Sequence, residues 1–291
     1  MGNERLNSTE NCLSHDDVVE ARYIIGYIAV TLAIAWAVEI FGFSGSAGAQ
    51  SVLLIAFFPA IVAFAANVIR RKPARAQLKA LTHRITGRSV VFAVAYPLLF
   101  IVATAVITLI TGVGHVSAEG LSNKLNVNSL LLFLVLVAVT FLVSFGEEYG
   151  WRGYLLPTLT QKQGKVAATT MVGIVWGLFH IPIYYQLAAL TGINPPTLTV
   201  LDAGFVVTFA FAFSYCYYLT ESILPCMLLH GMWDVTLPTA FGQRGSGIIE
   251  IDGLYLSAVL LVMGVALIPW FITRFNKMSA SALHGESATI V

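Results

Sequence analysis

The sequence predicts an all-α polytopic membrane protein with about eight transmembrane helices and both termini in the cytoplasm. Three observations carry that prediction. Of 291 residues, 57% are hydrophobic and only 11% charged, against about 25% charge in an ordinary soluble domain. Apolar runs of about twenty residues recur, each long enough for a ~30 Å hydrocarbon core. The basic residues are also spread unevenly over the connecting segments.

The apolar runs fall at 23–43, 50–69, 89–111, 129–147, 166–188, 200–219, 222–241 and 254–273. The stretch before the first run holds five acidic residues and no basic n-region or cleavage site, so no signal peptide is expected. The linker 70–88 carries Arg70, Arg71, Lys72, Arg75, Lys79, Arg84 and Arg88 with no acid, which places it in the cytoplasm. Of the 16 Lys and Arg, all but Lys124 and Arg244 then lie on that side. The chain thus divides into a polar segment (1–22), three helices (23–128), a core of helices four to seven (129–241), and a last helix with a polar tail (242–291).

A net charge of +1 gives no reason to invoke nucleic acid, and the basic linker reads as a loop facing lipid headgroups. Cys12, Cys216 and Cys226 make no CxxC or metal spacing. Neither a myristoylation pattern nor a CaaX box is present.

A charge at the centre of a membrane helix costs about 2.5–3.5 kcal/mol, so each one must face a cavity or a partner. Glu39 and Asp202 fall near the predicted outer surface, where hydration accounts for them. Glu147, Glu148, His180, His230 and Asp234 lie deeper. Glu148 and Arg152 are four apart and share a helix face, acid before base, as a stabilising ion pair requires. Glu147 projects about 100° away and has no sequence-local cation, the setting in which a carboxylate is free to act as a base. In "GIVWGLFHIPIYY", Trp176 and His180 share a face, and Pro182 frees a carbonyl beside them. In "SILPCMLLHGMWDV", His230 and Asp234 again stand four apart.

A carboxylate and two imidazoles around a pocket can activate water, as base and orienting group or through a metal. The HExxH signature is absent, so metal-free glutamate catalysis is favoured and no cofactor is expected; the alternative is a divalent metal such as zinc on Glu147, His180 and His230. There is no GxSxG elbow for a serine mechanism.

The stretches "EEYGWR", "WGLFH" and "HGMWD" resemble the EExxxR, (F/W)xxxH and HxxxN patterns of the CPBP intramembrane proteases, which comprise type II CAAX prenyl endopeptidases and bacterial relatives linked to bacteriocin processing and self-immunity. The extended motifs look most like the bacterial branch. The resemblance implies that Glu147 is the base on water, that His180 holds or polarises that water, and that His230 with residue 234 supports the oxyanion. Glu148 and Arg152 would be the supporting pair, and the substrate a membrane-associated or lipidated polypeptide. Trp176 stands where the familiar motif has phenylalanine, a change expected to be neutral. Asp234 stands where the family has asparagine, and an ionised Asp would repel an oxyanion. It must then be protonated, orient His230, or bind a metal or cationic group, unless proteolysis is reduced or absent. Two other functions fit the same groups: a non-catalytic peptide-binding or immunity protein, and an ion-coupled transporter.

Overall fold

The computed structural model describes residues 15–42, 54–73, 78, 81 and 83–286. Cys12, Arg75, Lys79 and most of the polar end segments lie outside them. Along the chain run α1 (His15–Gly42), α2 (Phe58–Ile69), α3 (Gly87–Thr111), β1 (Gly114–Val116), α4 (Ala118–Lys124), α5 (Val127–Val143) and α6 (Phe145–Glu148). A π-helical turn (Tyr149–Leu155) leads into α7 (Leu156–Thr191), α8 (Pro195–Tyr218), α9 (Leu224–Ala240), β2 (Phe241–Gly242), β3 (Ile249–Ile251) and α10 (Gly253–Glu286).

The chain is an all-α polytopic membrane protein. Val18–Phe41, Gly87–Thr111, Pro195–Tyr218 and Gly253–Met278 are each long and apolar enough to cross a bilayer, as is the stretch Val127–Leu190. That last stretch is 64 residues long, far beyond the ~20 of one pass. It is broken by the π-helical turn and by Gly164, whose φ of 77° interrupts the helix. Every predicted run carries helix, but α2 and α9 are short, at 12 and 17 residues. No residue of α5 is buried although it is nearly all apolar, a surface that suits lipid and not water.

Local chemistry sets the helix ends. Thr86 and Ser89 form a reciprocal capping box that starts α3. The side chains of Asn126 and Asn194 accept the N–H of Ser129 and Thr197 at the starts of α5 and α8. Pro182 does not break α7. It removes the N–H that would bond Leu178, and the Trp36 indole of α1 donates to that carbonyl instead at 2.9 Å.

Helix α7 packs on α1 and α8, α8 on α10, and α9 between α3 and α5. Small residues allow the closest approaches. A Cβ on Gly173 or Gly177 of α7 would lie 2.8 Å from the carbonyls of Val207 or Ala203 in α8, and one on Gly231 of α9 would lie 3.0 Å from that of Val137 in α5. A Cβ on Gly146 would collide with the Ala56 carbonyl just before α2.

Where α3 and α9 end and α10 begins, β3 pairs antiparallel with β1 (Gly114↔Ile251) and parallel with β2 (Phe241↔Ile249). These strands are two or three residues long, too short to show the period-2 pattern that announces a strand. A hydrogen bond involving Ser117 and the N–H of Gly245 hold the Glu250 carboxyl of this cap below the usual carboxylate range.

The close approach at Gly146 predicts that Gly146→Ala lowers stability by about 1–3 kcal/mol, whereas Gly26→Ala, in the interior of α1 with nothing near its Cβ position, preserves it or raises it by up to about 1 kcal/mol. Denaturant unfolding in mixed micelles checks both. Equal stability of the two variants would contradict the packing.

Candidate active site

Helix α5 ends at Val143, and the Ser144 hydroxyl donates to the carbonyls of Phe141 and, across to α9, Met227 at 3.0 and 3.3 Å. The chain then continues helically through Phe145–Glu148 into the π-turn, where the Leu156 N–H bonds the Trp151 carbonyl five residues back. Such turns insert one residue into a helix and re-aim the side chains around them. The sequence suggests a cytoplasmic connection at this place, with Arg152 in it. Instead Trp151, Arg152 and Leu155 are fully buried, because the turn is wedged against α2, α7 and α8, with Tyr27 of α1 packed on Trp151.

Glu147 and Glu148 are both buried, and their carboxylates lead separate lives. Oε1 of Glu148 takes a hydrogen bond from Arg152 Nη1 at 3.1 Å and contacts His230 Nδ1 at 2.8 Å. The Arg152 guanidinium lies over the rings of Trp176 and Phe213, 4.2 and 4.3 Å from their centroids. That cation–π sandwich supports a charge taken out of water. Glu147 Oε2 receives two indole N–H groups, from Trp176 at 2.7 Å and Trp151 at 3.2 Å. No Lys, Arg or His among the described residues lies within ion-pair distance of it.

His180 sets its Nδ1 3.0 Å from the Trp176 carbonyl one turn back and stacks on Tyr184, with ring centroids 5.4 Å apart. A donor role for Nδ1 leaves Nε2 as the free nitrogen. His230 is held at both nitrogens, by Glu148 and by Asp234, whose Oδ2 is 3.5 Å from Nε2. Both contacts are attractive only if His230 carries two protons or Asp234 carries one. Glu148 and Arg152 then cancel, His230 and Asp234 cancel, and Glu147 is the carboxylate with no compensating cation.

The two histidines open onto a cavity of about 190 Å³ lined also by Tyr184, Asp202, Trp233 and Asp234. Phe205, Phe209 and Phe213 of α8 close its apolar side, lowering the local dielectric so that the few polar groups act strongly. Glu147 sits behind Trp176, within electrostatic reach of both His180 and His230. Among the described residues, no three His, Cys, Asp or Glu side chains converge as a metal set. A metal on Glu147, His180 and His230 would have to take His230 Nε2 from its 3.5 Å contact with Asp234, since Nδ1 is bonded to Glu148.

Of the residues singled out in the sequence, Glu147, Glu148, Arg152, Trp176, His180, His230 and Asp234 all come together here. Trp176 donates to Glu147 Oε2, a hydrogen bond that a phenylalanine could not make. Trp151, Tyr184 and Phe213 were not anticipated, although Trp151 stands four residues after Glu147, the spacing that pairs Glu148 with Arg152. Asp202 is half-buried and lines the cavity. Glu39 is not hydrated: it is 1% exposed, and its Oε2 has no hydrogen-bond partner among the described residues.

Residues 128–236, which contain this whole constellation, match the family described as type II CAAX prenyl endopeptidase Rce1-like. The likeness to that family is confined to this segment. The chain is also similar to a protein of Methanococcus maripaludis, CAAX prenyl protease 2, with 28% identity over 143 residues, covering 46% of this chain and 49% of that protein. It therefore spans about half the length of the curated relative it matches. The matched segment runs from the first turn of α5 to the last turns of α9, so α1 to α4 and α10 lie outside it.

The buried pair predicts that Arg152→Ala, which leaves the Glu148 carboxylate uncompensated, costs about 3–5 kcal/mol. Trp176→Phe, which removes one hydrogen bond to a charged group, costs about 1.5–3 kcal/mol. Unfolding measured in mixed micelles is the check, and an Arg152→Ala variant as stable as wild type would remove the pair from its structural role.

Proposed function

We propose that the protein is an intramembrane endopeptidase in which Glu147 activates water for attack on a peptide bond. The observation that carries this reading is the division of labour between adjacent carboxylates: Glu148 is tied to Arg152 and His230, while Glu147 is aimed by two indole N–H groups and left without a cation. A base must be placed to within a few tenths of an ångström and keep a lone pair available. The indoles do the first by fixing Oε2.

In this reading the water lies between Glu147 and the free nitrogen of His180. Glu147 takes its proton as the oxygen attacks the carbonyl carbon, and the same carboxyl returns it to the departing amine. Charge grows on the carbonyl oxygen, and the proton shared by His230 and Asp234 faces the cavity where that oxygen would sit, supplying the donor an oxyanion needs. Asp234 thus fulfils with its proton what an asparagine amide would do with its N–H.

The substrate is a membrane-associated polypeptide, and the name of the matching family suggests a prenylated one. Cleavage takes place on the side that carries the basic linker, the cytoplasmic side. The non-catalytic binding protein is the second reading, and it requires that silencing Glu147 leave function intact.

Cleavage of farnesylated peptides by the purified protein is the test. Glu147→Gln is expected to lower the rate by about 10²–10⁴-fold with stability preserved, and activity is expected to survive a strong chelator. Wild-type rates in Glu147→Gln would refute the base, and loss on chelation would replace glutamate catalysis by a metalloenzyme. At position 234, Asp234→Asn retains cleavage while Asp234→Ala loses about 10²-fold. Full activity in Asp234→Ala would remove the residue from oxyanion support.

A further inference from the structure

A second, larger cavity lies on the lipid side of the bundle between α3 and α10, with a volume of about 760 Å³. It runs from Arg88 to Ala103 along α3, about 22 Å at 1.5 Å per residue, roughly the length of one acyl chain. Its walls are almost wholly apolar, formed by residues such as Leu99, Tyr96, Ala266 and Phe271. The chemistry changes at one end. There Arg88 donates to the Tyr215 hydroxyl at 2.9 Å, and Arg274 lies over the Trp270 ring at 5.0 Å from its centroid. The Tyr215 and Trp270 rings touch at 5.4 Å, so the two arginines flank one aromatic pair.

No carboxylate among the described residues is paired with either guanidinium. An apolar trough one chain long, capped by two guanidiniums without a counter-charge and an aromatic pair of the kind that sits at headgroup level, has the polarity of an anionic amphiphile read in negative. Arginine's fork suits a phosphodiester, and its weak hydration suits the interface.

We propose that this groove is a binding site for an anionic phospholipid, with the phosphate between Arg88 and Arg274 and one acyl chain along α3. The site is separate from the peptide-cleaving centre but shares a wall with it: Tyr96 contacts Phe209 at 6.2 Å, and Phe100 contacts Phe205 and Trp233 at 6.0 and 5.7 Å between ring centroids. Those three partners line the smaller cavity. An acyl chain in the groove therefore supports the aromatic layer against which the histidines are set.

Native mass spectrometry of the full chain in detergent tests the site, with dioleoylphosphatidylglycerol and dioleoylphosphatidylcholine added separately. Wild type is expected to retain one phosphatidylglycerol about tenfold more strongly than phosphatidylcholine, as two near-surface cation contacts would give. Arg88→Gln with Arg274→Gln should abolish that preference. Leu99→Trp, a lipid-facing residue whose enlargement fills the trough without touching the core, should lose retention of both lipids. Equal retention of the two lipids by wild type, or an unchanged preference in the double variant, would overturn the proposal. Displacement of bound lipid by a farnesylated peptide would also overturn it, making the groove a substrate path. The readout is lipid retention, so it stands apart from whether the protein cleaves peptides.

Discussion

The structure turns on one buried carboxylate. Glu148 is fully buried and held between a guanidinium and an imidazole, and neither contact could form in water with comparable strength, because solvent would screen both. Removing a charge from water costs several kcal/mol, which only good geometry and full pairing can offset. The surroundings provide part of that geometry, with Glu148 Oε2 and Arg152 Nε and Nη2 left without hydrogen-bond partners among the described residues. Arg152 is stacked between Trp176 of α7 and Phe213 of α8, and His230 comes from α9. One acid thereby fastens four consecutive elements of the core, and it lends its rigidity to the residue beside it.

That rigidity gives Glu147 its character. A second carboxylate in the same turn would ordinarily seek the same cation, but the 100° rotation per residue and the π-turn after Glu148 direct it to Trp151 and Trp176 instead. Neutral indole donors orient a carboxylate without neutralising it. The site is thus built from pairs one helical turn apart, in which each element contributes both an acting group and the group that aims it.

Much of this was legible in the sequence because it is local. The apolar runs announced the helices, and the spacings of Glu148 with Arg152, Trp176 with His180 and His230 with Asp234 announced shared faces that the structure retains. What could not be read depends on packing between distant segments. The burial of Arg152 needs Trp176 of α7 and Phe213 of α8 to close over a turn that composition alone marks as a polar connection. Glu39 and Asp202 were assigned to water from their depth in their helices, whereas their surroundings come from neighbouring helices. The hydrogen bond from Trp176 to Glu147 spans 29 residues and has no sequence signature, so the role of the indole N–H could not be read from the motif. The aromatic layer shared by the two cavities is likewise invisible in a chain whose aromatic residues are spread over many helices.

The central claim is that Glu147, and not its paired neighbour, meets the reacting atoms. An experimentally determined structure with a peptide phosphonate, whose tetrahedral phosphorus imitates the carbon attacked by water, tests this most directly. The account predicts one phosphonate oxygen within hydrogen-bond distance of both Glu147 and His180, a second facing His230 and Asp234, and Glu148 unmoved between Arg152 and His230. A phosphonate that contacts Glu148 directly, or that binds through a metal ion with Glu147 as a ligand, would contradict it.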